Sequence, residues 1–482
     1  MGEADAAGRR LFYDGRWQDA LAPGSMAAIN PATGAALGSV PDAGAEDVDR
    51  AVRAAAAAFP AWSALKPLER AERLKALAAL LRRNARELAG LDAENCGSPI
   101  AGMLRDVEVS AVTLEYFAGL VTELKGETVP MGGGHLNYTV REPLGAVACI
   151  AAFNHPVLFG VTRPAPAWAA GNTVVLKPAH QTPLSALRLA ELAAEVLPPG
   201  VFNVVTGGRD CGAALAAHPR VAKVSLVGSI PTGKAILRAA AERVAPVALE
   251  LGGKNALIAY PDADPAAVAA GAVAGMNFAW AGQSCGSTSR AFIHASQYEA
   301  VLDGIVAAAG RFVPGLPTDP ATTMGPLVDR AQYEKVLRYI ALGKEDGARL
   351  LTGGGPPGTP GLENGFFVLP TVFADVTMGM RIAREEIFGP VLSVLRWSDE
   401  EELYRLVNQL DYGLTAAIFT RDLATAHRAA ARVQAGYVWI NQVGSHFLGA
   451  PFGGYKQSGL GREECRDELF AFTQVKNVNI KL

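Results

Sequence analysis

One stretch, Trp280-Ala281-Gly282-Gln283-Ser284-Cys285-Gly286-Ser287, sets a lone cysteine among small and polar residues. Glycine and serine on both sides let backbone and substrate approach the sulfur closely, as an attacking thiolate requires. The same octapeptide would also suit a cysteine that is only a small buried hydrophobe. To act, Cys285 needs ionisation, donors for the oxyanion formed on attack, and a base for the second half-reaction. Two residues at the ends of expected strands could serve. Asn154, before His155-Pro156, carries an amide NH2 that could donate to an oxyanion, although Asn-His-Pro is equally a turn sequence. Glu250 follows an apolar run and precedes Gly252-Gly253, which suits either a general base or a helix cap.

The elements that must hold these residues can be read from periodicity. Residues 11–40 alternate apolar residues with turn formers, suggesting short strands that wrap a larger body. From 45 to 94 the pattern is helical: Val48, Val52, Ala55, Ala56 and Phe59 share one face, and Leu74, Leu77, Leu80 and Leu81 repeat the spacing. A further helix is expected from about 100 to 124. Residues 127–142 read as a strand pair turning at Gly132-Gly133-Gly134, an excursion toward a partner subunit. From 145, buried-type strands at 146–152, 173–176, 202–205, 221–227 and 246–249 alternate with helices, notably 184–196 and 234–244. That rhythm predicts a parallel sheet covered on both faces. A second alternation follows, with strands near 257–259, 291–294, 350–352, 391–396, 414–419 and 436–440, and it contains Cys285. The tail 471–481 reads as a last strand that pairs with the 127–142 excursion. The fold class is therefore α/β: two parallel-sheet domains plus a small β excursion. Ligands of such sheets bind beyond the carboxyl ends of the strands, where Asn154 and Glu250 fall.

Composition narrows the function classes. A chain of 482 residues exceeds one ordinary core, and half its residues are apolar with 19% charged, a globular balance. A net charge of −3 without a Lys/Arg run argues against nucleic acid as a partner. Five cysteines without CxxC spacing fit neither a disulfide framework nor a metal site and suggest a reducing compartment. Residues 1–10 resemble a frayed leader with neither a signal peptide nor a myristoylation signal. No apolar run is long enough to span a membrane. A soluble cytoplasmic protein is expected.

Motifs in order along the chain carry a family resemblance: Phe153-Asn154-His155-Pro156, Gly171 to Pro178, Val227-Gly228-Ser229 with Gly233, Glu250-Leu251-Gly252-Gly253-Lys254, Gly282-Gln283-Ser284-Cys285, Glu385 to Pro390, and Pro451-Phe452-Gly453-Gly454 with Gly461-Arg462-Glu463. Over almost its whole length the chain resembles the aldehyde dehydrogenase superfamily, in its hydrolytic, non-CoA-acylating form. The resemblance implies an NAD(P)-binding domain at 1–125 and 144–250, a catalytic domain at 251–440, and oligomerisation strands at 126–143 and 468–482. It implies that Cys285 attacks an aldehyde, that Asn154 and the Cys285 N–H stabilise the oxyanion, and that Glu250 activates water to hydrolyse the thioester. Glu463 matches a second carboxylate that relays protons; alternatively it pairs with Arg462 at the surface. For the cofactor, the resemblance implies Lys177 at the adenosine ribose and Ser229, in a Gly-Ser helix start with Gly233, at the pyrophosphate. Glu386 falls at the nicotinamide ribose and Phe388 at the nicotinamide end, with Gly212 and Leu251 flanking the site; Phe388 could instead be ordinary core. The partners implied are a small-molecule aldehyde and further copies of the chain, as a homodimer or homotetramer.

Departures from the family pattern affect specificity. His180 stands where NAD-preferring relatives carry Glu, which removes a repulsion of a 2′-phosphate; NAD is expected, with NADP as the alternative. Cys465 and Glu468 stand where glycines are common. The substrate positions are Phe153, His155, Phe159, Thr162, Ser284, Gly286, His446 and Phe452, with Thr162 replacing a tryptophan common in relatives. Their aromatic character suits an aromatic or medium-length apolar aldehyde better than a trimethylammonium aldehyde, which would want a Trp/Tyr cage. The rival enzyme readings are a CoA-acylating dehydrogenase and a cofactor-free cysteine hydrolase.

Overall fold

The computed structural model describes residues 10–482. The expectations for a frayed leader and a missing targeting signal fall almost wholly on residues 1–9, outside the described part. An eight-stranded sheet runs in the order Gly459–Leu460, Val247–Glu250, Val221–Val227, Ala146–Ile150, Thr173–Lys177, Phe202–Val204, Arg10–Tyr13 and Arg16–Asp19. Its five central strands are parallel, and antiparallel pairs close both edges. Alternation along Ala146–Ile150 explains its two covered faces. Val147 and Cys149 pack with the helices Pro67–Arg83 and Ile100–Gly119, while Ala146, Ala148 and Ile150 pack with Val48, Val52 and Ile236 on the other side.

A second, seven-stranded sheet has the order Arg349–Thr352, Thr371–Ala374, Val391–Trp397, Arg290–His294, Ala256–Ala259, Thr415–Phe419 and Tyr437–Ile440, parallel except for its first strand. The strand Thr371–Ala374 has no counterpart in the sequence reading; four residues between Pro370 and Asp375 are too few to show a period. The helices follow their apolar stripes with shifted ends. The one expected from 234 begins at Ile230, because Ser229 caps it and Pro231 suits a first turn. Among the described residues no helix is long and apolar enough to cross a membrane.

The expected strand pair at 127–142 is corrected. Only His135–Pro143 is a strand, and its partner is Thr473–Lys481, antiparallel along its whole length. Residues 127–134 instead fold back on it through Thr139, which donates its N–H to the Glu127 carbonyl and accepts the Glu127 N–H at its hydroxyl. Pro130 and the glycine run remove what a second strand would need.

Asn172 ties this ribbon to the first sheet. Its Oδ1 accepts the N–H groups of Leu144 (2.7 Å) and Gly145 (3.0 Å), and its Nδ2 donates to Ala167 O (3.2 Å) and Phe472 O (2.9 Å). The residue is fully buried, so no water could replace these partners. We expect Asn172→Ala to lower the thermal unfolding midpoint by roughly 5 °C or more. A change within about 1 °C by differential scanning fluorimetry would refute this role.

Candidate active site

Glu250 is the last residue of Val247–Glu250 in the first sheet, and the segment 251–255 leads directly into Ala256–Ala259 of the second. Two clamps fix that crossing. On one side Ser458 donates its hydroxyl to Gly252 O (2.7 Å), accepts the Gly413 N–H (2.9 Å), and accepts the Leu251 N–H at its carbonyl (3.0 Å). On the other, Asn255 donates to the carbonyls of Cys285 (2.7 Å) and Ser287 (3.0 Å) and accepts the Thr415 N–H (3.0 Å). The strand end carrying Glu250 and the loop carrying Cys285 are thus held against each other, close enough for the Glu250 carboxylate and the Cys285 thiol to shift each other's titration.

The cysteine loop is strained on the way in. Ala281 (φ 50°) and Gly282 (φ 68°) both lie in the left-handed region. Gly282 must be glycine: a Cβ there would meet Gly389 O at 2.2 Å. Gln283 steadies the turn, its Oε1 accepting the Val328 N–H (3.0 Å).

Burial controls the electrostatics. It holds the Glu250 carboxyl well above the usual carboxylate range, reinforced by the Glu463 charge and opposed by the Cys285 hydrogen bond and Arg163. Burial, then the Glu250 charge, likewise holds the Cys285 thiol well above its ordinary value. Glu463 is not at the surface with Arg462. It is buried and paired with Arg163, an arginine the sequence reading missed, at the junction of the helices Pro156–Thr162 and Pro164–Ala170. Glu468 is buried beside this pair; its Oε2 accepts the Glu464 N–H (2.7 Å), and burial raises its carboxyl to about 8.

Asn154 is buried, and its Oδ1 has no partner. Next to it the Phe153 ring meets the Phe388 ring edge-on at 5.6 Å, so this strand end touches the Glu386–Phe388 loop. Phe388 is half-buried with φ 56°, a backbone strain that ordinary core packing does not require. Glu386 accepts the Gly253 N–H (2.9 Å), and a Cβ at Gly252 would lie 2.1 Å from its Oε2, so glycine admits the carboxylate.

Further along the first sheet, Lys177 is buried with Nζ donating only to Pro178 O (3.1 Å). Gly212 faces its side chain, a Cβ there lying 3.5 Å from the Lys177 stem. Burial and then the Lys177 charge lower the His180 imidazole, which is therefore neutral at pH 7. Ser229 caps an exposed helix N-terminus, and Gly233 allows that helix to close on Leu251. These groups run from Lys177 to Glu386 along the carboxyl ends of the parallel strands.

Of the substrate positions, Phe159 and Thr162 lie on the helix Pro156–Thr162, one turn apart, and Ser284 is half-buried beside Cys285. His446 lies 4.7 Å from the Phe452 ring, stacks on Tyr437, and engages Glu464 through Nδ1 (3.0 Å). Tyr437 and Asp106 escaped the sequence reading, and Trp280 was quoted there only as a neighbour of Cys285, with no role of its own. Of these, only Trp280 carried a signal, its place five residues before Cys285.

A family model described as the aldehyde dehydrogenase family matches residues 17–478. Aldehyde dehydrogenase tropH of Talaromyces stipitatus is 54% identical over 480 residues, covering 98% of this chain and 93% of that protein. The NAD+ complex of an aldehyde dehydrogenase from Bacillus cereus superposes with a TM-score of 0.96 at 41% identity, covering 99% of this chain and 97% of that one. The indole-3-acetaldehyde dehydrogenase AldA of P. syringae, bound to NAD+ and IAA, has a TM-score of 0.96 at 39% identity, with coverage of 99% and 97%.

Because the Glu250 charge is a principal reason that the Cys285 thiol is raised, Glu250→Gln should lower it and make the thiolate more abundant. Iodoacetamide labelling of Cys285 at pH 7, read by peptide mass spectrometry, should accelerate at least about threefold. Slower labelling would instead show that Glu250 ionises the thiol.

Proposed function

The chain belongs to the aldehyde dehydrogenase family, and on that premise we propose that it oxidises an aromatic or medium-length apolar aldehyde to its carboxylic acid through a thioester on Cys285. The observation that carries this reading is the Cys285 loop clamped against the strand end of the buried Glu250, close enough for the two groups to shift each other's titration, a nucleophile and a base in one seam. The thiol loses its proton to solvent, and the thiolate then attacks the carbonyl carbon and leaves an oxyanion. The Asn154 amide and the Cys285 N–H are the donors we assign to it. After the hydride has left, Glu250 in its deprotonated form takes a proton from the water that attacks the thioester. The acid departs and the sulfur is restored. Arg163 with Glu463 stands behind Glu250 as the outlet for protons.

NAD supplies the hydride acceptor when bound. The residues present fit it: Gly252 opens a cradle beside Glu386 that a Cβ would fill, Glu386 and Lys177 offer a carboxylate and an ammonium to ribose hydroxyls, and Ser229 heads an exposed helix N-terminus. A neutral His180 neither repels nor attracts a 2′-phosphate, so we place NAD first and keep NADP as the alternative. Phe153, Phe159 and Phe452 favour an apolar, aromatic substrate over a trimethylammonium one. Glu250 in contact with the thiol speaks for water rather than CoA as acyl acceptor.

We assign residues 1–125 and 144–250 to nucleotide binding, 251–440 to catalysis, and 126–143 with 468–482 to assembly. The ribbon of His135–Pro143 and Thr473–Lys481 exposes Leu136, Val475 and Ile480, which supports a homodimer or homotetramer built through it. Free cysteines, four of them buried, suit a cytoplasmic setting.

The test is an aldehyde panel, assayed with NAD and NADP separately and without CoA. Free acid and reduced cofactor should form in equal amounts, and Cys285→Ala should abolish both. Glu250→Gln should give one rapid turnover of hydride per site and then a steady rate lower by about 10²–10⁴-fold. Because Glu250 titrates above the usual carboxylate range and acts deprotonated, the wild-type rate should rise as pH increases through that raised value. A requirement for CoA, or turnover without reduced cofactor, would overturn the reading.

A further inference from the structure

The helix Ile100–Gly119 shapes one wall of the aldehyde pocket through two residues a turn apart. At Gly102 an added Cβ would lie 2.8 Å from the Trp280 ring, so the helix surface is cut back to seat the indole. One turn on, on the same face, the buried Asp106 carboxylate accepts from His155 Nδ1 at 2.7 Å. The His155 ring is thereby fixed 5.4 Å from the Trp280 ring and 5.6 Å from the Phe159 ring. Trp280 stands five residues before Cys285, and His155 follows Asn154, so both adjoin in sequence the residues assigned to the reaction.

Both side chains hold an unmet polar atom. With Nδ1–H donated to the Asp106 carboxylate, Nε2 is the ring nitrogen that no described residue bonds, an acceptor in the tautomer this pairing selects. Trp280 Nε1–H is a donor, buried and without a partner. Thr162 Oγ1, a turn beyond Phe159, is likewise buried and unpartnered. Buried polar atoms in folded proteins are nearly always satisfied, so two buried unmet ones, Trp280 Nε1 and Thr162 Oγ1, together with the half-buried His155 Nε2, describe a ligand that carries polar atoms of its own. A wholly apolar ring would leave all of them unmet. A trimethylammonium group brings neither a donor nor an acceptor, and a carboxylate offers no proton to Nε2. A hydroxyl brings both.

We propose that this pocket selects an aromatic aldehyde bearing a ring hydroxyl, whose O–H donates to His155 Nε2 while its oxygen accepts from Trp280 Nε1. The inference rests on the aldehyde-oxidising reading of Cys285 and narrows its substrate class. Asp106 acts through His155 as a positioning residue, since it selects the tautomer that makes Nε2 an acceptor.

Binding separates this inference from the activity. In the full-length Cys285→Ala protein, calorimetry with benzaldehyde and its 2-, 3- and 4-hydroxy isomers should show one isomer bound about tenfold tighter than benzaldehyde. Adding Trp280→Phe, which keeps an aromatic ring and removes the N–H, should cut that preference at least about threefold, and Asp106→Asn should do the same by changing the tautomer. In the Cys285-containing protein the ratio of kcat/KM values should fall in the same order. Equal binding of benzaldehyde and every hydroxy isomer overturns the proposal, as does a preference that survives both variants. A binding preference without acid formation from any aldehyde supports the pocket and overturns the activity it was tied to.

Discussion

The segment 251–255 is the constraint on which the site depends. It runs directly from the end of a strand in one sheet to the start of a strand in the other, and it is too short to let Glu250 and the second sheet move apart. Glu250 pairs with Gly459 on one side and Val227 on the other, so the first sheet fixes its direction. Asn255 then binds the carbonyls of Cys285 and Ser287, so the second sheet brings its loop to the same place. Arg290 closes the seam by donating to Lys254 O at 2.8 Å. Glu250 and the Cys285 loop are held by different sheets and meet because a few residues of backbone, satisfied on both flanks, leave them no alternative.

That seam is dry, and dryness determines which charges it can hold. Glu250, Glu463 and Glu468 are all buried, with Arg163 as the buried guanidinium among them. One positive charge cannot keep three carboxylates ionised in a low dielectric, so the group retains protons at neutral pH. Burial raises all three carboxyls, with Arg163 opposing the shift in each. Lys223, the other cation nearby, is itself pulled down to about 8 by burial and donates to Ala471 O rather than to a carboxylate. Such an array destabilises the fold relative to apolar packing and is retained where protons must be taken up and released. Glu468 in place of a glycine therefore changes the charge behind the base and not only the local shape.

The architecture was legible because each central strand is a short apolar run set between amphipathic helices, a pattern that survives without knowledge of contacts. The ribbon was half legible. Its C-terminal strand and that strand's pairing with the excursion were expected, but the excursion was also read as two strands, where Pro130 and the glycine run leave only one. Within the site, residues marked by glycine and motif could be named: Cys285, Glu250, Asn154, Glu386. Those acting through one long-range side-chain contact could not. Asn255, Ser458, Arg163 and Asp106 sit in sequence surroundings no different from any strand end or helix face, and only the fold brings each to its partner. Trp280 was in view from the start, but its importance comes from Gly102 on a helix about 180 residues earlier.

The two halves of the site are also joined through backbone contact, independently of any charge. Gly282 enters the cysteine loop against Gly389 with no space for even a Cβ. Gly389 follows Phe388, whose ring lies on Phe153, and Phe153 precedes Asn154. A closed circuit therefore runs from Cys285 through Gly282, Gly389, Phe388 and Phe153 to Asn154, with left-handed backbone at Ala281 and Phe388 holding two of its bends. Close-packed contacts of this kind transmit displacement because they cannot absorb it. Glu386 lies on the same loop as Phe388, so whatever draws its carboxylate away from the Gly253 N–H must also act on the turn that presents the thiol. The Glu386–Phe388 loop and the turn that carries Cys285 are in this sense one mechanical unit, and the left-handed backbone at Ala281 and Phe388 holds two of its bends.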